Sequence, residues 1–189
     1  MTRFSEKPTS INGLFSVTKN IISDDRGYLE RLFCLKDLKC WADRPITQIN
    51  RTFTSKRGSV RGFHFQYPPK AEAKFVCCLS GSVTDISLDL RQNSKTYGHT
   101  FIIELDAQKH NAVLIPEGVA HGFQTLSNDV EMLYFHSDFY APEYEGGVNI
   151  LDESLSIEWK FPCTHISERD KTFPFFENLE GVIIEMPSL

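Results

Sequence analysis

The chain has 189 residues, of which 41% are hydrophobic, and this predicts a single domain over residues 1–189 with a sizeable core and terminal extensions. Its formal net charge of -5 argues against a nucleic-acid-binding protein, whose basic face would normally dominate the balance. Five cysteines without a CxxC pair favour a reducing compartment, and no run approaches about 20 apolar residues, so we expect a cytoplasmic protein with no membrane contact.

The N-terminal region predicts a hairpin of two short strands, INGLFSVTKNII and GYLERLFCL, joined by the turn SDDRG. Arg26 lies at the exit of this turn, where a solvated side chain is the ordinary interpretation. The next segment, KDLKCWADR, predicts one or two helical turns that end before Pro45, because the residue before a proline avoids helical geometry.

A strand is predicted in ITQINRTFTS, where alternation puts Gln48 and Asn50 on one face. Two amides on one face can bind a polar ligand or simply satisfy each other. The sequence alone leaves both possibilities open.

The stretch from Gly58 to Leu90 carries the residues most suited to chemistry. In SVRGFHFQ, a period of two predicts Arg61 on one side of a strand, with His64 and Gln66 on the other. Lys74 opens the apolar strand KFVCCL and is either an edge charge or a buried functional amine. Arginine, histidine and lysine together would supply an anchor for an anion, a base and a cation for an enolate.

The remainder consists of short alternating segments bounded by Gly, Pro, Asn or Asp, followed by a polar and aromatic tail. Such spacing predicts an all-β antiparallel sandwich or barrel, and we favour a jelly roll over another β-barrel. Short helices are predicted only in the tail, in DESLSIEW and around SERDKTF, besides the early segment.

Six ordered segments, RGFHFQ, KFV, GSVTDISLDLR, IPEGVAHGF, LYFHSDFYAPEYEGG and ISERD, together resemble the dTDP-4-dehydrorhamnose 3,5-epimerase family from Ile11 to Lys171. The resemblance implies a cupin-type double-stranded β-helix, a homodimer and no cofactor or metal. It also implies inversion at C3, C5 or both of a nucleotide-linked 4-keto-6-deoxyhexose, such as dTDP-4-dehydro-6-deoxyglucose, through an enolate.

The same resemblance assigns catalytic roles to four residues. His64 matches the base and Asp170 matches the carboxylate that orients it, since a carboxylate partner fixes the imidazole tautomer. Lys74 matches the cation beside the C4 oxygen. Tyr134 matches the acid that returns a proton from the other face, although a strand tyrosine is ordinarily a core or interface residue.

A second set of positions matches residues that bind the substrate. Arg61 could hold the diphosphate with its guanidinium, and Tyr140 resembles the aromatic residue that stacks on the base. Arg26 matches a hairpin arginine thought to reach the site of the neighbouring subunit. The remaining predicted substrate-binding residues are Arg31, Gln48, Asn50, Gln66, His121, Glu145 and Arg169.

The chain departs from the family pattern at Leu29 and Arg31, where an aromatic residue and an acid are frequent, and at Ile150, where a tryptophan is common. The first two changes bear on nucleotide recognition and could mark a branch that epimerises one carbon instead of two. The nucleotide and the number of inverted centres therefore stay open.

Two alternatives stay open beside the epimerase hypothesis. A metal-dependent cupin oxygenase would draw on an HxH pair, but Phe65 and Gln66 follow His64. A catalytically silent sugar-nucleotide-binding module is possible because fold alone does not confer activity. Such a module would not need His64, Lys74, Tyr134 and Asp170 together.

Overall fold

The computed structural model describes residues 2–184, which are built mainly from short β-strands. The strands within that range are β1 Phe4–Pro8, β2 Phe15–Lys19, β3 Ile22–Asp24, β4 Gly27–Leu29, β5 Gln48–Thr54, β6 Val60–Gln66, β7 Lys74–Ser80, β8 Ser82–Asp89, β9 Thr100–Asp106, β10 Asn111–Ile115, β11 Val119–Thr125, β12 Val130–His136 and β13 Glu145–Gly147. The helical elements are α1 Glu168–Thr172 and 3-10 turns at Lys39–Trp41, Ala107–Lys109, Pro142–Tyr144, Glu153–Leu155 and Phe176–Asn178.

Two antiparallel sheets make the body of the fold. One sheet has six strands in the order β1-β2-β10-β7-β12-β5, and the other has five in the order β13-β6-β11-β8-β9. Strands β3 and β4 form a separate hairpin. Apart from β1–β2 and β8–β9, neighbours in the two large sheets come from distant parts of the chain, as the predicted jelly roll requires.

The core between the two sheets follows from the alternation of side chains along each strand. Val76 and Met132 of the six-stranded sheet belong to one buried cluster with Val83, Leu105 and Phe123 of the other. Burying each such side chain contributes about 1.5–3 kcal/mol.

Separate apolar clusters cover the outer faces of both sheets. Leu38 and Trp41 pack with Phe75 and Cys77 on the six-stranded sheet, so the adjacent cysteines point to opposite sides of β7. Segments after β13 cover the outer face of the five-stranded sheet, where Leu155 joins that sheet's buried cluster. Among the described residues, no helix has the length and apolar character needed to cross a membrane.

Some element boundaries differ from the predictions. Strand β1 was not predicted, and the second predicted strand ends as β4 at Leu29 rather than running on to Leu35. The cause is tertiary packing: Phe33 leaves the hairpin and its ring stacks on Phe135 and meets Trp41 edge-on. The segment KDLKCWADR forms only the 3-10 turn Lys39–Trp41.

Candidate active site

A cavity of about 540 Å³ opens between the two sheets. Strands β5, β7 and β12 supply one wall and strands β6 and β11 the other, with the segment after β12 and helix α1 at the rim. The lining residues are Gln48, Asn50, Thr52, Arg61, His64, Phe65, Gln66, Glu72, Lys74, His121, Phe123, Tyr134, His136, Tyr140, Glu145 and Arg169. Every predicted site residue is in this set except Asp170, Arg26 and Arg31.

Asp170 stands directly behind the lining, where it holds His64. The Ser167 hydroxyl caps helix α1 by accepting a hydrogen bond from the Asp170 N–H, at 3.1 Å. The Asp170 carboxylate, 3% exposed, accepts hydrogen bonds from His64 Nε2 at 2.8 Å and from the Gly62 N–H at 3.3 Å. Because an ionised carboxylate only accepts, Nε2 carries the proton of neutral His64 and Nδ1 is the basic nitrogen. The Arg169 guanidinium, 3.2 Å from the same Nε2, is then a close contact between two donors rather than a hydrogen bond.

The charge state of Asp170 suits this role. Burial acts to raise the pKa of Asp170, but the hydrogen bond and the charge of His64 act in the opposite direction and prevail, so the pKa is lowered. The carboxylate is therefore ionised at neutral pH and accepts the hydrogen bond of His64 Nε2.

A bulge in strand β6 puts Arg61 and His64 on the same face, so the prediction that they face opposite sides is wrong. In the pairing of β6 with β11, His64 lies opposite His121 and Arg61 lies opposite Phe123. Three residue steps along β6 therefore match only two along β11, so β6 carries one extra residue. Gly62 lies inside the step with φ of +116°, and a Cβ there would come within 2.5 Å of the Gly122 Cα. Because of the extra residue, the Arg61 side chain points into the cavity and lines its wall.

Lys74 is a buried amine. Strand β7 lies between β10 and β12 in the sheet, which rules out the edge-charge interpretation. The side chain is 11% exposed, and its ammonium lies 3.4 Å from Glu72 Oε1 and donates to the His64 carbonyl oxygen, also at 3.4 Å. Lys74 thus reaches from one sheet to the backbone of the other beside the predicted base.

Tyr134 faces the cavity from β12, in the wall opposite β6. Its ring meets His121 edge-on and stacks on His136, each at 6.1 Å between centroids. Burial raises the pKa of Tyr134 above its ordinary value of about 10, so the phenol keeps its proton at neutral pH. A protonated phenol can serve as an acid.

His121 also has a carboxylate partner that the sequence analysis missed. Its Nε2 lies 2.7 Å from Asp85 Oδ2, and Asp85 is fully buried in strand β8. The signal available in the sequence was a carboxylate between the hydrophobic residues Val83 and Ile86 of the predicted strand VTDISLDLR.

Polar side chains at the rim contact one another. The hydroxyl of Tyr140 and the guanidinium of Arg169 both donate to Glu145 Oε2, each at 2.9 Å. Gln48 Oε1 accepts a hydrogen bond from the Tyr140 N–H at 3.1 Å. The side chain of Tyr140 stays half exposed, which leaves its ring face available to a ligand.

Gln66 lines the cavity, but its amide is engaged by backbone groups. The amide donates to the carbonyl oxygens of Lys70 and Phe139 and accepts from the Ala141 N–H. These bonds fasten the two loops beside the cavity. Gln66 therefore shapes the site, and its role as a substrate contact stays a prediction.

The structure does not bring Arg26 or Arg31 into the cavity of their own chain. Arg26 is exposed in the β3–β4 turn and pairs with Asp24 at 2.6 Å, and Arg31 pairs with Asp37. A role for Arg26 in a neighbouring subunit's site stays a prediction.

Glu72 and His136 line the cavity but were not predicted as site residues. Glu72 Oε2 lies 2.8 Å from His136 Nδ1. Both could have been found by the period of two, because Glu72 shares a face with Lys74 and His136 with Tyr134. Within residues 2–184, no three His, Cys, Asp or Glu side chains lie close enough together to hold a metal ion.

The fold and site define the class of protein: a jelly roll with a histidine–carboxylate pair, a buried amine and a tyrosine around one cavity. The chain belongs to the dTDP-4-dehydrorhamnose 3,5-epimerase family, whose model matches residues 8–178. The expected cupin-type fold and the family resemblance are thereby confirmed.

Individual relatives agree with this assignment. The dTDP-4-dehydrorhamnose 3,5-epimerase of Streptomyces griseus is 34% identical over 92% of this chain and 88% of its own. A dTDP-4-dehydro-6-deoxyglucose 3-epimerase of a Streptomyces species is 35% identical over 92% and 89%. The crystal structure of a Legionella pneumophila epimerase in complex with dTDP-4-keto-L-rhamnose superposes with a TM-score of 0.90, at 27% identity, over 97% of this chain and 100% of its own.

Proposed function

We propose that this protein is an epimerase that inverts C3, C5 or both of a nucleotide-linked 4-keto-6-deoxyhexose, and that its substrate is dTDP-4-dehydro-6-deoxyglucose. The observation that carries the proposal is that His64, held by Asp170 of helix α1, lies on one sheet and Tyr134 on the other, and that both line a common cavity. Inversion needs proton transfer on both faces of a carbon, which one residue cannot provide.

The roles follow from the chemistry of a carbon next to a ketone. Nδ1 of His64 removes the proton, and the Asp170 carboxylate stabilises the imidazolium that results. The Lys74 ammonium lies beside the ketone oxygen and stabilises the enolate. Tyr134 returns a proton to the opposite face.

The rim supplies the groups for the nucleotide. Arg61 and Arg169 are cations at the cavity that can bind diphosphate oxygens bidentately. Tyr140 offers its exposed ring to the base. A solved relative, the 3'-monoepimerase of Streptomyces bikiniensis, was crystallised with dTDP-quinovose, and it is 32% identical with a TM-score of 0.84 over 90% of this chain and 87% of its own.

Incubation with a panel of nucleotide-linked 4-keto-6-deoxyhexoses in heavy water tests the proposal. We expect NMR to detect deuterium at carbons adjacent to the ketone, together with inverted product. Tight binding of the substrate without any deuterium incorporation would instead identify a silent binding module.

The same spectra decide how many centres are inverted. The relatives include both 3,5-epimerases and 3-epimerases at nearly equal identity, and the departures at Leu29 and Arg31 lie in the N-terminal hairpin region. Deuterium at C3 alone would assign a single-centre enzyme, and deuterium at C3 and C5 a double epimerase.

We infer further that the protein acts as a homodimer in the cytoplasm. Strand β5 lies at the edge of the six-stranded sheet, and Ile49 and Phe53 on it are each 55% exposed. Such an edge is suited to pair with a second copy. The free state of the five cysteines agrees with a reducing compartment.

A further inference from the structure

A second carboxylate–histidine pair lies in the cavity wall beside the predicted enolate cation. His136 ends strand β12, where it is paired in register with Lys74, and Glu72 lies two residues before Lys74, in the segment that leads into strand β7. Their side chains are 8% and 11% exposed. A buried carboxylate is costly unless it is paired, so its contacts indicate what it holds.

Each oxygen of Glu72 has a different partner. Oε1 lies 3.4 Å from the Lys74 ammonium, and Oε2 lies 2.8 Å from His136 Nδ1. One carboxylate therefore connects the enolate cation to a second imidazole of the cavity.

The connection continues from His136 to Asn50. The Nε2 of His136 is 3.4 Å from Asn50 Nδ2. An amide nitrogen only donates, so Nε2 must accept and the proton of His136 lies on Nδ1, where it is donated to Glu72. Asn50 is thereby held with its amide nitrogen toward His136, and its amide oxygen is left to accept a hydrogen bond from a sugar hydroxyl.

We propose that Glu72 is a positioning residue that holds the Lys74 ammonium with one oxygen and, through His136, orients the Asn50 amide with the other. This inference rests on the proposed function. The two oxygens of Glu72 then have different roles. The contact with Lys74 promotes enolate formation, and the contact with His136 promotes recognition of the sugar.

Substitutions of Glu72 and His136 separate the two roles. In Glu72→Gln, the amide oxygen still accepts from His136, but the charge facing Lys74 is lost, so we expect kcat to fall about tenfold to a hundredfold with KM unchanged. In Glu72→Ala both contacts are lost, and we expect KM to rise as well. His136→Phe keeps an aromatic ring beside Tyr134 but breaks the link to Asn50, so KM should rise about fivefold with a smaller effect on kcat.

The matched control is Glu131→Gln, which makes the same chemical change on strand β12 at a carboxylate that pairs with Arg51 and does not line the cavity. It should retain wild-type kcat and KM. Thermal unfolding and the affinity for dTDP, measured by calorimetry, report whether each variant is folded.

Steady-state kinetics with dTDP-4-dehydro-6-deoxyglucose and the rate of deuterium uptake give the outcome. Separate kcat and KM effects in Glu72→Gln and His136→Phe, with dTDP affinity intact, support the proposal. A Glu72→Gln variant within about twofold of wild type in kcat, or one whose dTDP affinity falls along with kcat, overturns it. Inactivity of wild type and Glu131→Gln alike would overturn the proposed function and this inference with it.

Discussion

Each histidine that lines the cavity is held by a carboxylate. His64 pairs with Asp170, His121 with Asp85 and His136 with Glu72, at nitrogen–oxygen distances of 2.7–2.8 Å. A carboxylate fixes which ring nitrogen carries the proton and how the ring is oriented. Only in the first pair does the carboxylate come from helix α1 rather than from the strands or loops beside the cavity, so the orientation of His64 depends on the C-terminal segment.

Asp170 should make stability depend on acidic pH. Its pKa is lowered in the folded protein, so its contribution to the free energy of unfolding is fully present above the unfolded-state pKa of about 3.9 and is lost as pH falls through the folded-state value. We expect Asp170→Asn to show a shallower fall in stability below about pH 4 than wild type, measured by urea unfolding at several pH values. Identical acid dependence in both proteins would contradict the assignment.

At the scale of an element, the bulge in strand β6 sets the geometry of the site. Gly62 has a φ of +116°, and a Cβ would meet the Gly122 Cα at 2.5 Å and the His121 carbonyl oxygen at 2.6 Å. A side chain there cannot be accommodated unless β6 and β11 separate. The bulge that brings Arg61 beside His64 therefore depends on glycine.

We predict that Gly62→Ala lowers the free energy of unfolding by about 2–3 kcal/mol or more and abolishes deuterium uptake. Gly27→Ala is the matched control for stability: Gly27 has a φ of +136°, but nothing lies within 4 Å of its Cβ position. Its smaller loss reports the backbone strain alone. Equal losses in chemical denaturation would show that the close approach of β6 and β11 contributes nothing.

The bulge also shows which side-chain directions could not be predicted from the sequence. Alternation placed Gln48, Asn50, Lys74 and Tyr134 correctly, because their strands are regular over those residues. Alternation failed at Arg61, because the extra residue of the bulge in β6 reverses the direction in which every side chain on one side of the bulge points. The pattern cannot show which strand lies opposite, so the pairing of His64 with His121 was not predictable.

Partnerships between distant segments were equally hidden. The interpretation of Asp170 as a base partner came from the family resemblance, because a carboxylate 106 residues from His64 carries no local signal. Glu72 was passed over although it lies two residues before Lys74 and also lines the cavity. The Gln66 amide was predicted to bind substrate, yet it holds backbone groups of loops whose path alternation does not describe.

At the scale of the whole molecule, the exposed β3–β4 hairpin bears on how the cavity of each chain is completed. The β3–β4 hairpin exposes Tyr28 and Leu29 by about 60% each, and Arg26 faces solvent there. The predicted role of Arg26 needs a neighbouring subunit. It also explains why a residue matching a substrate contact lies outside the cavity of its own chain.

Mixing two inactive variants tests this arrangement. If Arg26 serves the partner's cavity, Arg26→Ala and His64→Ala chains combined after unfolding and refolding should recover about a quarter of wild-type activity. Half of the dimers would be mixed, and each would contain one intact site. No recovery, with light scattering showing dimers, would contradict a role for Arg26 in the partner's cavity, and full activity of Arg26→Ala alone would place Arg26 outside the site.

The central claim, that His64 and Tyr134 act on opposite faces of one carbon, is tested most directly by following deuterium uptake and inversion separately in heavy water. His64→Ala should lose both. Tyr134→Phe should still exchange the C3 proton, because His64 can return a deuteron to the face it came from, while inversion falls at least about a hundredfold. Inversion at the wild-type rate in Tyr134→Phe, or exchange at the wild-type rate in His64→Ala, would contradict the account.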